Sequence, residues 1–165
     1  MSRAFVKEGD GALDPLPDLP LSAHPNYVTK RGLADLQARL QQVQATLAAL
    51  KSRAERLDKL PEAAAERDIR YLEARLRSAS PVDPAQHDLS QVAFGLSVQV
   101  RDPSGREQVY EITGEDDADL ALGRISAHSP LARALIGAQA GDSVTWKKPS
   151  GPIELTISAI TCPKD

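Results

Sequence analysis

Between residues 33 and 57 an apolar side chain recurs at alternating intervals of three and four: Leu33, Leu36, Leu40, Val43, Leu47 and Leu50, with Ala54 and Leu57 continuing the rhythm. A mean spacing of 3.5 keeps one apolar seam on one side of a helix, and that seam requires a partner helix. Thr29 is placed to cap the helix, with Lys30, Arg31 and Gly32 in its first turn. A helix from Thr29 to Asp58 would span about 45 Å. Leu60-Pro61 is the expected turn, because proline suits a first helical turn where its missing N–H is not needed. A second helix is expected from Pro61 to Ala79, through Ala65, Ile69, Leu72 and Leu76. So short a turn makes the two helices antiparallel neighbours.

The flanks differ in composition. Residues 1–28 carry prolines at 15, 17, 20 and 25, which interrupt helices and resist a central strand, so an irregular arm is expected. Within it, MSRAFVKE could form a short amphipathic anchor around Phe5 and Val6. Residues 29–80 form the antiparallel coiled-coil hairpin, and 81–88 a linker that begins in Pro81-Val82-Asp83-Pro84. Residues 89–165 read as a small domain of antiparallel strands with one short helix. Val92, Phe94, Leu96, Val98 and Val100 alternate as in a half-buried strand. Val109–Ile112, Ser143–Trp146 and Ile153–Ile160 supply further strands. Ser129 caps a helix with Pro130 at its first position and Gly137 near its end. The fold class is α+β, a helical hairpin followed by a small closed core.

Composition narrows the function classes. The formal net charge of −3 argues against a basic nucleic-acid clamp, and an independent sequence-specific DNA reader is not expected. The one cysteine, Cys162, cannot form an intrachain disulfide and has no nearby histidine. No Cys/His set has metal-ligand spacing, so no intrinsic metal or other cofactor is expected. His24, His87 and His128 are isolated in sequence and read as surface or loop residues. No apolar run approaches the length that spans a bilayer, and the first residues lack the apolar core of a secretory signal. A cytoplasmic location, no membrane partner and a monomer are the expectations.

The C-terminal stretch then carries a specific pattern. Gly114 to Asp119 is an acidic loop, followed by Gly123 to Ser126, Ser129 to Gly137 and Gly141 to Val144. In order and spacing these resemble the G-E-D-E-A-D, G-K-I-S, S-P-x-x-R-A-L-x-G and G-D-x-V segments of the GreA/GreB transcription elongation factors. Tyr27 to Leu33 resembles the start of that family's hairpin more weakly. The resemblance implies an FKBP-like C-terminal domain that docks bacterial RNA polymerase at the rim of its secondary channel, with the hairpin inside the channel. It also implies an accessory factor rather than an enzyme. In the family, acidic tip residues help position the polymerase's Mg²⁺ and a water, and the polymerase hydrolyses its own backtracked RNA. Contact with nascent RNA would therefore be indirect.

The tip departs from the family, whose motif reads close to G-D-L-S-E-N-A-E-Y. Tyr71 to Leu76 resembles the family's F-I-E-G-R-I, and counting back without gaps sets residues 54–62 against the tip motif. Glu55 and Asp58 then become the candidate tip carboxylates. On a helix, positions three apart share a face, and two carboxylates there could share a contact to Mg²⁺, an oxygen-seeking ion. The alternative is a solvated surface, since Lys51, Arg53, Arg56 and Lys59 surround the pair. Those cations, with Arg39, also form a candidate basic hairpin face. A non-cleaving polymerase-binding regulator, resembling Rnk, is thus the second reading of the whole chain. A stand-alone nuclease or prolyl isomerase lacks a convergent set of nucleophile, base and ligands, and a general coiled-coil scaffold is the remaining class. The resemblance makes Ser129, Pro130 and Leu131 the candidate docking loop, with Asp116 and Asp119 as further contacts. Asp117 belongs to the same acidic loop, and Trp146 is either a docking anchor or a half-buried strand residue. Leu131, with Ile125, Leu135, Val144, Leu155 and Ile157, also reads as core.

Overall fold

The computed structural model describes residues 13–164. The expected amphipathic anchor at residues 1–8 lies outside them. From Leu13 to Asn26 the chain forms no helix or ladder, as its prolines dictate. The first strand, β1 (Tyr27–Val28), pairs in parallel with β2 (Ser80–Pro81), which follows the hairpin. Ser80 N–H donates to Asn26 C=O at 2.8 Å and Val82 N–H to Val28 C=O at 2.9 Å, clipping the two ends of the hairpin together. Pro81 is tolerated because this ladder is only two strands wide.

Helix α1 (Lys30–Lys51) is capped by Thr29, whose hydroxyl accepts from Gly32 N–H at 3.0 Å. It stops at Lys51 rather than at Asp58, so it spans about 33 Å. The apolar rhythm runs on, but side chains take the last carbonyls. Ser52 Oγ donates to Ala49 C=O at 2.8 Å and Arg53 Nε to Leu50 C=O at 3.1 Å. Residues 52–59 are therefore a loop. Helix α2 (Leu60–Ser78) begins with Pro61 in its first turn. Leu36 and Leu72 bury against Val28 in a small core at the hairpin's base, with Leu33, Leu40, Val43, Tyr71 and Leu76 packed around them.

The C-terminal domain is a five-stranded sheet of β3 (Ser97–Arg101), β4 (Glu107–Thr113), β5 (Arg124–Ser126), β6 (Ser143–Lys148) and β7 (Gly151–Thr161), with helix α3 (Pro130–Leu135) between β5 and β6. The order is β5-β4-β3-β7-β6. The sheet is mixed rather than wholly antiparallel, because β5 runs parallel to β4. That short strand was not foreseen. It returns through two turns of 3₁₀ helix, Glu115–Asp117 and Leu120–Leu122, instead of through a hairpin. The strand expected from Val92 begins only at Ser97. Val92 instead exchanges backbone bonds with the chain after α3, accepting from Gly137 N–H and donating to Ala138 C=O, and Gly95 turns the chain at φ +84°. Alternation in burial holds from Leu96 through Val98 to Val100, which enter the core with Val92, Ile112, Leu135 and Ile157, whereas Phe94 is only partly buried against it. No helix among the described residues is long and apolar enough to cross a membrane.

Sheet and hairpin meet at Gly114, the residue after β4. A Cβ built there would lie 2.5 Å from the carbonyl oxygen of Tyr27. Gly114→Ala must push β1 away from the sheet, and urea denaturation should show a loss of about 1–3 kcal/mol.

Candidate functional site

The acidic loop is the seam between hairpin and sheet. Its 3₁₀ turn points two carboxylates inward. Asp116 accepts from Tyr71 Oη at 2.7 Å and from Arg75 Nε at 2.6 Å. Arg75, only 4% exposed, also donates to Asn26 Oδ1 at 2.7 Å, while Asn26 Nδ2 returns a bond to Arg75 C=O at 2.8 Å. Asp117 receives Arg31 at 2.8 Å and Arg124 at 3.4 Å, and Arg31 reaches Glu111 at 2.8 Å. Arginine from the first turn of α1, arginine from the last turn of α2 and arginine from β5 thus converge on one turn. Buried charges persist where each has a partner, as each arginine has here, although Arg31 Nε itself is buried without a hydrogen bond. Burial alone would make the Arg31 guanidinium easier to deprotonate, but its bonds to Asp117 and Glu111 outweigh that and raise its pKa.

Asp116, expected on the polymerase-facing surface, therefore faces the hairpin. Asp119 is exposed, and its carboxylate accepts from Ala121 N–H at 3.0 Å to cap the second 3₁₀ turn. The pairing of Arg31 and Arg75 with the acidic loop has no local pattern in the sequence. An arginine at each end of the hairpin beside a run of acids was the available signal.

The α3 cap forms as its sequence requires: Ser129 Oγ accepts from Ala132 N–H at 3.2 Å. Pro130 is exposed, but Leu131 is 3% exposed and belongs to the sheet's core, so it offers no apolar contact to a partner. Trp146 is half-buried on β6, with Lys148 Nζ 4.5 Å from its ring centroid. His24 and His128, both in loops as expected, stack with ring centroids 4.1 Å apart.

At the other end, Glu55 and Asp58 lie in the loop between the helices, so they do not share a helical face. The early stop of α1 removes that geometry. Asp58 Oδ1 accepts from Leu60 N–H at 2.9 Å, closing a turn just ahead of α2, whose N-cap Lys59 makes no side-chain cap bond. Glu55 is exposed. The surrounding cations Lys51, Arg53 and Arg56 stay exposed but are paired with acids of α2. Arg56 Nε donates to the buried Glu62 at 2.9 Å, Arg53 lies 3.9 Å from the same carboxylate, and Lys51 pairs with Glu66 at 3.0 Å. The hydrogen bonds from Arg56, with the charges of Arg56, Arg53 and Lys51, hold the Glu62 carboxyl below its ordinary pKa. Lys59 is half-buried at the foot of the loop and Arg39 is exposed on α1. Leu57 is 95% exposed at the apex. Among the described residues no group of three or more His, Cys, Asp or Glu could hold a metal ion.

Two outcomes test the seam. Asp116→Ala leaves Arg75 buried without its main partner and should cost about 3–5 kcal/mol in urea denaturation. Burial, the bond to Asp116 and its charge push the Tyr71 phenol up to about 12 from an ordinary value of 10. The folded form therefore holds that proton more tightly than the unfolded chain. Its stability contribution is complete below pH 10 and disappears as pH rises toward 12. Denaturation series should show Tyr71→Phe losing less stability across that window than the parent.

The comparisons with known proteins follow the same division of the chain. Residues 86–162 match the family described as "Transcription elongation factor, GreA/GreB, C-term". Transcription elongation factor GreA of Alkalilimnicola ehrlichii is 44% identical over 91 residues, covering 54% of this chain and 58% of that protein. Transcription elongation factor GreB of Neisseria meningitidis serogroup B is 43% identical over 96 residues, covering 58% and 59%. The chain thus spans about three-fifths of the length of these relatives. Among solved structures, the GreA/GreB factor of Nitrosomonas europaea is 23% identical with a TM-score of 0.41, over 82% of this chain and 98% of that one. The similarity of this chain to the GreA/GreB transcription elongation factors lies in residues 86–162, which match that family's C-terminal domain.

Proposed function

We propose that this protein binds bacterial RNA polymerase at the secondary channel and regulates transcript elongation without stimulating transcript cleavage. The observation that carries the reading is the hairpin tip. Supplementing a polymerase-bound Mg²⁺ requires carboxylates held together on a rigid support, because the ion demands near-ideal octahedral geometry. Here α1 ends early, Asp58 is held by its bond to Leu60 N–H, and Glu55 stands exposed on the same loop, so no helix presents the two carboxylates on one face. The tip's arginines are engaged by Glu62. The family's domain implies the partner, and an FKBP-like reading of the sheet with α3 belongs to the same proposal. The docking contact would centre on Pro130, supported from below by Leu131, with Asp119 as a second exposed contact. The protein would act as a cytoplasmic monomer, with no ribonuclease activity of its own.

Deliberately backtracked elongation complexes with Mg²⁺ provide the test. Added protein should bind the polymerase yet release no RNA 3′ fragment, and Glu55→Ala and Asp58→Ala should change nothing. Rapid release that either substitution abolishes would reinstate a cleavage-stimulating factor acting through those carboxylates. Pro130→Glu, compatible with a first helical turn, should weaken polymerase binding about tenfold, or ~1.4 kcal/mol. Undiminished binding would move the docking surface elsewhere.

A further inference from the structure

We infer that residues 13–25 are a strap that fixes the direction in which the hairpin projects from the C-terminal domain. The segment touches both bodies. On the hairpin, Asp18 Oδ1 accepts from Arg70 Nε at 2.6 Å and Leu16 C=O accepts from Arg70 Nη2 at 2.8 Å. On the domain, Ser22 Oγ donates to Glu115 Oε1 at 2.9 Å, and His24 stacks on His128. His128 Nε2 also lies 3.4 Å from Pro25 C=O. Proline at 15, 17, 20 and 25 limits the conformations open to the segment, so holding it extended costs little entropy.

The geometry gives the strap work that the buried acidic turn leaves undone. Tyr71 and Arg75, four residues apart, face Asp116 from one side of α2. Arg70 precedes Tyr71 by one residue and so points about 100° away around the helix. The acidic turn restrains α2 on one face, and the strap holds it on another. A helix gripped on one face can still rock across it; a second grip at a wide angle removes that motion. The strap's anchors are surface bonds, each weak alone, so the restraint is releasable.

Spin labels on Ala54→Cys at the tip and Ser104→Cys in the β3–β4 turn, in a Cys162→Ser background of the full chain, read the projection angle as a distance distribution. The triple variant Asp18→Lys, Ser22→Ala, His24→Ala removes the strap's side-chain anchors without touching either core. It should broaden that distribution and shift its mean, while Asp14→Ala in the same segment should leave it narrow. An unchanged distribution in the triple variant would overturn the proposal. Polymerase takes no part in the measurement, so the result stands or falls independently of the function proposed above.

Discussion

Two carboxylates, Asp116 and Asp117, turned inward on a single 3₁₀ turn, determine how the halves of this molecule fit. Arg31 and Arg75 belong to the hairpin, Arg124 to the sheet, and all three end on that turn. The hairpin has its own small apolar core, Val28, Leu36 and Leu72, with partly buried side chains packed around it. Charge pairing is directional where apolar contact is not. The arginines therefore specify one arrangement of hairpin on domain, and the close approach of Gly114 to Tyr27 allows the backbones to come near enough for it. The family's acidic loop thus has a structural role in this chain, set apart from the exposed cap of α3.

The two ends of the hairpin divide their labour on the same principle. At the base, acids of the domain neutralise arginines of the helices. At the tip, Glu62 and Glu66 of α2 neutralise the cations that follow α1. What remains at the apex is a loop with one fully presented apolar side chain, Leu57, and carboxylates that share no face.

Much of the fold was legible because periodicity reports burial. The 3–4 spacing gave both helices and their antiparallel pairing, and Ser129-Pro130 gave α3. Alternation found the core residues of β3 but overran its start, because Val92 is buried by backbone exchange with the chain after α3, which no local pattern encodes. The end of α1 was missed for a related reason. Leu57 keeps the apolar rhythm while Ser52 and Arg53 terminate the helix with their side chains. The four-stretch pattern from Gly114 to Val144 located the C-terminal domain but not the occupation of its acids. That depends on Arg31 and Arg75, more than forty residues away in sequence, and on which way a short turn faces.

The wiring of the seam also sets an order for self-assembly. The hairpin's helices are local and form quickly, whereas the sheet needs Ser97 opposite Thr161 before β3 is covered on both sides. As the chain leaves the ribosome, Arg31 and Arg75 emerge well before Asp116 and Asp117. They stay hydrated until the acidic turn is made. The base of the hairpin can dry only once that turn is in place, so the two halves dock after the chain has been made past Asp117.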